Sequence, residues 1–222
     1  MGGRCGSSHR HAPAGTSPRC GTVAIAASLR HPPLPLPEGG DKKSVAAATI
    51  RGAVPADVDR NEPLRSRPVM PTDYGIRRDE SGMLPLSRLE EKLAESRNYW
   101  IVSARPDGRP HVMPVWGLWL DQAVMFSTDP GSRKGRNLAT RPEVAVHLES
   151  GDDVVILEGR AEVVTDPALL QRFADAYETK YDFRPDPGNP AHGVYRVLPA
   201  RAFSWLEKDF PGTATRWQWP KA

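Results

Sequence analysis

The sequence predicts a mainly β fold with a few helices, arranged as a closed antiparallel barrel. Three observations indicate this fold: from Leu84 onward six or seven segments have β-type composition, most of them are joined by short turn-forming stretches, and the helical segments between them are few and short. A βαβ nucleotide fold would instead alternate strands with long helices. Closure into a barrel also removes exposed strand edges.

The individual elements follow from local patterns. Leucines at positions 86, 89 and 93 are spaced as on one face of a helix, which predicts a short helix over 85–96. A second helix is expected at 133–140 after Ser132, and a third from Asp166-Pro167 to about Tyr181. Gly159 predicts a bulge or tight bend within its strand. The predicted strands cover 98–104, 110–120, 123–128, 144–149, 154–164 and 194–198, with a possible seventh at 202–206.

The first 71 residues form a leader of different composition. They contain no aromatic ring, 10 of the 23 prolines and both cysteines, so we expect them to be disordered, ahead of a folded domain at 84–219. The arginines before the short apolar run at 22–29 permit a transit or secretory leader; an unstructured tail or a start codon placed too early are the alternatives. That run is too short to span a membrane. We take the cytoplasm as the default location.

Charge and residue spacing exclude several classes of function. The whole chain carries a net charge of +3, but residues 72–222 carry 20 Lys/Arg against 22 Asp/Glu, so the basic excess belongs to the leader. The folded part therefore has no basic surplus that would favour nucleic-acid binding. No His, Asp or Glu residues have a convincing metal-ligand spacing, and no catalytic pair or triad is evident, so we name no catalytic and no metal-binding residue.

The most informative segment runs from Phe126 to Leu138. A strand ends there, a Pro-Gly break follows, and a helix begins with Ser132, Arg133 and Lys134. A helix start offers free N–H groups and partial positive charge, so this segment is suited to holding a phosphate. The alternative is a capping serine followed by two solvated cations. However, cations in a first turn oppose the helix dipole, which favours an anionic ligand.

The run VMFSTDPGSRKGRNLATRPEVAVHLE resembles the flavin-binding segment of the pyridoxamine 5′-phosphate oxidase-like split-barrel family. The hairpin DGRPHVMPVWGLW, the helix end YETKY and the terminal FPGTATRW extend the resemblance over residues 84–219. It implies a dimeric split β-barrel of six or seven strands, with a flavin-type cofactor, FMN or the deazaflavin coenzyme F-420, in a groove between two identical subunits.

The resemblance also implies a set of cofactor-binding residues. Arg133 and Lys134 match phosphate ligands, and the strand beginning at His111 matches the one beside the ring system. Two residues of the C-terminal tail are expected to reach the cofactor or the partner subunit. The predicted cofactor-binding residues are Val112, Met113, Pro114, Val115, Trp116, Ser127, Thr128, Ser132, Arg133, Lys134, Asn137, Arg216 and Trp217.

One departure from the family pattern bears on the chemistry. Pyridoxamine 5′-phosphate oxidase itself carries an Arg and a Lys on the ring-side strand, whereas this chain has no cation between Arg109 and Arg133. The expected activity is therefore hydride transfer to or from another small organic substrate, and the apolar strand favours the F-420 branch. The alternative is a non-catalytic flavin, haem or tetrapyrrole carrier on the same barrel, for which His111 and His147 are the candidate axial ligands.

Overall fold

The computed structural model describes residues 62–186 and 188–220, and the first 61 residues of the predicted leader lie outside this part. No helix in the described part is long and apolar enough to cross a membrane. The helices are α1 (Leu86–Glu95), α2 (Arg133–Thr140), α3 (Pro167–Tyr181) and α4 (Phe210–Thr213). The strands are β1 (Leu64–Ser66), β2 (Asn98–Ala104), β3 (Pro110–Leu120), β4 (Ala123–Thr128), β5 (Glu143–His147), β6 (Asp153–Val163), β7 (Gly193–Leu206) and β8 (Thr215–Gln218).

Six of these strands close into an antiparallel barrel. The order is β7-β4-β3-β2-β5-β6, and β6 pairs back onto β7. β8 and β1 extend the sheet from β7 as two further strands. The predicted mainly β barrel is thus confirmed, because hairpin connections bring neighbouring segments together and one long-range pairing closes the ring. The dimer remains a prediction.

The longest strand differs from the prediction. The sequence indicated separate strands at 194–198 and 202–206, but β7 is continuous over 14 residues. Its first part pairs with β4 and its second part with β8, while β6 runs along both. The register shifts between Glu158 and Gly159, which confirms the predicted bulge. Any side chain at Gly159 would lie 2.2 Å from the carbonyl oxygen of Leu198, so the bend requires glycine here.

Two apolar cores lie on opposite faces of this sheet. The barrel interior is filled by side chains such as Tyr99, Phe126 and Leu157, and α1 closes it with Leu89 and Leu93. A second core packs α3 against the outer face of the sheet; its buried members are Leu118, Met125, Val164, Phe173, Tyr177, Tyr181 and Val194. These cores fix the two helices relative to β3, which lies between them.

β1 lies within the segment for which composition predicted disorder. It pairs with β8 in antiparallel register, from Leu64 opposite Gln218 to Ser66 opposite Arg216. The guanidinium of Arg67 then donates hydrogen bonds to the backbone carbonyls of Asp79, Ser81, Gly212 and Ala214 at 2.6–2.9 Å. Backbone pairing and this one side chain order the segment without an apolar period, so hydrophobic patterning does not indicate it.

Candidate functional site

The site begins where β4 ends and α2 starts. The Ser132 hydroxyl accepts a hydrogen bond from the Gly135 amide at 3.0 Å, as an N-cap does, and lies 3.4 Å from the Thr128 hydroxyl. A Cβ atom at Gly135 would lie 2.5 Å from the carbonyl oxygen of Pro130. The first turn of α2 therefore packs directly against the preceding loop, and the glycine makes this close approach possible.

Lys134 is the most unusual residue of this turn. Its side chain is buried, with 6% of the residue exposed, and its ammonium lies 5.3 Å from the ring centroid of Phe126. Within residues 62–186 and 188–220 it makes no hydrogen bond and no ion pair. Burial lowers its pKa from 10.5 to about 8. A buried cation without an anionic partner is costly, so this geometry favours a bound anion.

Asn137 ties α2 to the barrel. It is 1% exposed, and its side-chain amide donates to the Ser103 hydroxyl of β2 at 3.1 Å. Residues three apart on a helix share a face, so Lys134 and Asn137 both lie on the side of α2 that meets the barrel. Arg133 is exposed at the rim. The predicted polar contact at Asn137 is thus taken up by a hydrogen bond that positions the helix.

His111 and Arg105 lie on the strand side of the same region. His111 is directly opposite Ser103 in the β2–β3 register. Burial lowers the pKa of His111, and the positive charges of Arg105, Lys134 and Arg133 lower it further. Nδ1 of His111 and Nε of Arg105 are both buried without a hydrogen-bond partner in the described part of the chain. The charges of Arg105, Lys134 and Arg133 thus all act on His111.

β3 has an open edge beside this cluster. It pairs with β2 along residues 110–116, but with β4 only through residues 117–120. Val112 is 46% exposed and Met113 48%, although both lie in the middle of the strand. An open backbone edge flanked by apolar side chains is suited to the rim of a flat, partly apolar ligand.

The far end of this edge is held by α3. The Tyr181 hydroxyl accepts a hydrogen bond from the Gly117 amide at 2.9 Å, and its ring stacks on Trp116 at 4.9 Å. The Lys180 ammonium donates to the carbonyl oxygens of Ala94 at 3.0 Å and Gly117 at 3.2 Å. Burial lowers the pKa of Lys180 to about 8. These bonds fix β3 at the point where its open edge ends.

The comparisons with known proteins identify the family. The family model described as pyridoxamine 5′-phosphate oxidase matches residues 87–206, which is more than half of the chain. The chain belongs to this family. The pyridoxamine 5′-phosphate oxidase family includes oxidoreductases, as its name states. The matched range contains the whole barrel and the start of α2, and it excludes β1 and β8.

Solved structures of other proteins are similar to this chain. A conserved hypothetical protein from Mycobacterium tuberculosis is 25% identical, with a TM-score of 0.51, over 59% of this chain and 89% of its own. An F-420 reductase is 25% identical, with a TM-score of 0.43, over 50% and 94%. A heme-binding protein from Mycobacterium smegmatis is 18% identical, with a TM-score of 0.45, over 62% and 56%. The last two are too distant to assign a ligand, and no curated protein matches.

Most of the predicted residues lie on two parts of the fold. One part is the end of β4 with the start of α2, and the other is the open edge of β3. We call the space between these two parts the groove. Val115 differs, since it packs against the barrel core. The predicted residues on these two parts are Val112, Met113, Pro114, Trp116, Ser127, Thr128, Ser132, Arg133 and Lys134.

The two residues of the C-terminal tail lie elsewhere in this chain. Trp217 is 1% exposed in the barrel core, so it has almost no surface to offer a ligand. Arg216 is opposite Phe203, ten residues along β7 from Gly193, which pairs with Thr128. At 3.3 Å per residue this is a path of roughly 33 Å along the strand. We therefore leave both residues out of the proposed site within one subunit.

Arg105 was not among the residues that the sequence indicated. It follows β2 in a turn that contains Asp107-Gly108, and in such a position an arginine is usually solvated. Only the hairpin register and the placement of α2 show that it lies beside His111 and Lys134. The sequence signal for this group of basic residues was His111, a histidine on a strand of otherwise apolar residues.

Proposed function

We propose that this chain is a cytoplasmic, homodimeric oxidoreductase that binds FMN or coenzyme F-420 in the groove between α2 and β3. It would transfer hydride to or from a small organic substrate. The observation that carries the proposal is Lys134 at the start of a helix, a residue only 6% exposed whose ammonium has no hydrogen-bond or ion-pair partner among the described residues. Helix N–H groups and a desolvated cation together favour a phosphate at this point.

The residues present fit a flavin-type cofactor at both ends. Lys134 and Arg133 would hold the phosphate, with the Thr128 and Ser132 hydroxyls beside it. Trp116 lies five residues along β3 from His111, which corresponds to about 17 Å at the rise of an antiparallel strand. A ligand with a phosphate at one end and a flat ring at the other fits along such an edge.

The division of labour between cofactor and protein follows from this arrangement. The cofactor would supply the hydride-transfer chemistry, which explains why the sequence indicates no catalytic side chain. The chain's own residues bind the phosphate, align the ring along the β3 backbone and shield it with apolar side chains. The network around Gly117 keeps that backbone in place, because Tyr181 and Lys180 bond its amide and carbonyl.

The outer face of the barrel supports the homodimer. Val112, Val102 and Ala145 lie side by side across β3, β2 and β5, and Pro114, Trp100 and His147 form the next row. On these three strands neither row carries an acidic or strongly basic side chain, but on β6 the first row continues to Glu158. A depression of about 570 Å³ adjoins them and has a mixed lining: Ala104, Leu198 and Ala200 are apolar, whereas Glu143, Glu158, Arg160 and Arg201 are charged. A partly apolar sheet face with a charged border is compatible with packing against a second subunit.

A titration of the purified full chain tests the proposal. FMN, F-420, riboflavin and haem would be added separately and followed by absorbance and fluorescence. We expect FMN or F-420 to bind, and FMN to bind more tightly than riboflavin, which lacks the phosphate. The variant Arg133→Ala/Lys134→Ala should weaken binding by a few kcal/mol, since each charged hydrogen bond contributes about 1.5 to 3 kcal/mol.

Controls and further readouts separate the alternatives. Arg136 lies on the same helix, is exposed and donates to the Gly131 carbonyl, so Arg136→Ala should leave the affinity nearly unchanged. Equal affinities for FMN and riboflavin would refute the phosphate site. Tight binding without reduction of any added acceptor would indicate a carrier, and preferential binding of haem would contradict the flavin assignment.

A further inference from the structure

The strand side of the groove contains polar atoms that the proposed phosphate ligands do not use. Nδ1 of His111 and Nε of Arg105 are buried without a hydrogen-bond partner in the described residues. Buried polar atoms in folded proteins are nearly always satisfied, so these two atoms are candidates for contacts with a bound ligand. Both are nitrogen atoms of basic side chains, which are suited to an anion.

The register shows that these side chains face α2. Ser103 and His111 are directly opposite each other in an antiparallel pair and therefore point to the same side of the sheet. Arg105 comes directly after the end of β2, and its positive charge acts on His111. The hydroxyl of Ser103 accepts the hydrogen bond from Asn137 of α2, one helical turn after Lys134. Strand and helix thus present basic groups to a common space.

The charged groups around His111 are mainly cations. Arg105 faces it from the end of β2, and Lys134 and Arg133 face it from α2. On the turn before β3, Arg109 is engaged with Asp107 at 2.6 Å. Burial and the three cations lower the pKa of His111 and favour neutral imidazole in the free protein. A phosphate in this space would favour imidazolium, because its negative charge offsets much of the repulsion that the three cations exert on His111.

We propose that Arg105 and His111 form the second half of the anion site, and that His111 takes up one proton from solvent when a phosphate group binds. This inference rests on the proposed function, since it concerns the same groove. Neutral imidazole has one donor nitrogen, whereas imidazolium has two. Protonation lets His111 donate to the phosphate whichever nitrogen carried the proton in the free protein.

Proton uptake has a measurable consequence for affinity. If His111 is protonated in the complex and neutral in the free protein, the affinity falls as pH rises between the two pKa values, by up to about tenfold per pH unit. Two other titrations overlap with this effect. A phosphate monoester loses its second proton near pH 6, which strengthens binding as pH rises, and Lys134 has a pKa of about 8. The experiment must therefore compare the unmodified chain with a variant that lacks only the titration of His111.

Isothermal titration calorimetry of the full chain provides this comparison. FMN and inorganic phosphate would be titrated at pH 7 in two buffers of different ionisation enthalpy, which counts the protons taken up per bound ligand. The chain and His111→Gln would be compared, because glutamine keeps a hydrogen-bond donor but does not titrate. We expect a clear proton uptake with the unmodified chain and a much smaller one with His111→Gln. The variant Arg105→Gln should bind both ligands about tenfold more weakly and still take up a proton on binding.

A second measurement does not depend on a variant. NMR of the imidazole nitrogens in the unmodified chain should show one histidine whose pKa rises when phosphate is added, and this signal should be missing in His111→Gln. Equal proton uptake in the two proteins, or an unchanged histidine titration, would overturn the inference while the phosphate site remains. Failure of both ligands to bind at any pH would instead overturn the proposed function and this inference together.

Discussion

Replacing Lys134 by methionine should change stability and anion binding in opposite directions. Burial lowers the pKa of Lys134 from 10.5 to about 8. At about 1.36 kcal/mol for each tenfold change in proton affinity, the buried charge costs about 3 kcal/mol. The residue is 6% exposed, but its ammonium nitrogen is not among the fully buried unpartnered atoms, so contact with solvent makes this figure an upper bound. Methionine has a similar length and no charge, and Lys134→Met should therefore stabilise the ligand-free protein by up to about 3 kcal/mol at pH 7.

The direction of the stability difference and the pH range in which it appears follow from the different pKa values of Lys134 in the folded and unfolded chain. A lysine with a lowered pKa in the folded state destabilises the fold fully below the folded pKa, near pH 8. The penalty disappears as pH rises toward 10.5, where the unfolded chain also loses the proton. The advantage of Lys134→Met should thus be largest at pH 7 and small at pH 10.5. Lys180 titrates in the same range, but in both proteins, and so cancels in the comparison.

Thermal unfolding followed by circular dichroism measures these differences. With about 2 to 4 °C per kcal/mol for a domain of this size, Lys134→Met should melt higher at pH 7 without ligand, by at most about 6 to 12 °C. Saturating FMN should raise the melting temperature of the unmodified chain much more than that of the variant. Arg133→Met is the matched control: Arg133 is exposed, so its replacement should weaken FMN binding without changing ligand-free stability.

Two outcomes would refute this reasoning about Lys134. A lower melting temperature of Lys134→Met at pH 7 would mean that the ammonium is satisfied within the protein. A stability difference that persists unchanged at pH 10.5 would mean that packing, and not the charge, is responsible. Either result would also remove the main support for a phosphate at the start of α2.

Two substitutions test the supports of the groove. Gly135→Ala should lower the free energy of unfolding in urea by about 1–3 kcal/mol and weaken FMN binding, because its Cβ would lie 2.5 Å from a loop carbonyl oxygen. The control Gly151→Ala places its Cβ in open space and should change neither the stability nor the FMN affinity. Tyr181→Phe should lower the free energy of unfolding by about 1–3 kcal/mol, since it removes the hydroxyl that is hydrogen-bonded to Gly117. The control Tyr177→Phe removes a hydroxyl that makes no hydrogen bond in the described chain, and it should lower the free energy of unfolding by less than about 0.5 kcal/mol. Equal effects within either pair would contradict the assigned contacts.

The elements of the barrel were largely predictable because their signals are local. Alternating apolar residues bounded by turns define β2 to β4, and Ser132 and Asp166 mark the starts of α2 and α3, each accepting a hydrogen bond as an N-cap. The continuity of β7 was missed, because Pro199 interrupts its pattern. The proline is tolerated since it lies opposite Gly159, at the bulge.

The candidate site likewise contains features that the local sequence predicts and features that it does not. The triplet from Ser132 to Lys134 is readable as an anion-binding helix start, because capping and helix polarity act within one turn. The burial of Lys134 is not readable, since it depends on Phe126 and on how α2 lies across the barrel. Arg105 and His111 are likewise brought opposite α2 only by the hairpin register.

The sequence by itself therefore determined the order of strands and helices, the position of the helix start and the family resemblance, because each depends on residues close together in the chain. The tertiary structure decided the closure of β6 onto β7, the pairing of β8 with β1, and the meeting of four basic groups around one groove. These features join segments far apart in sequence, where periodicity and turn chemistry carry no information. Electrostatic cost depends on burial, and burial exists only in the folded chain.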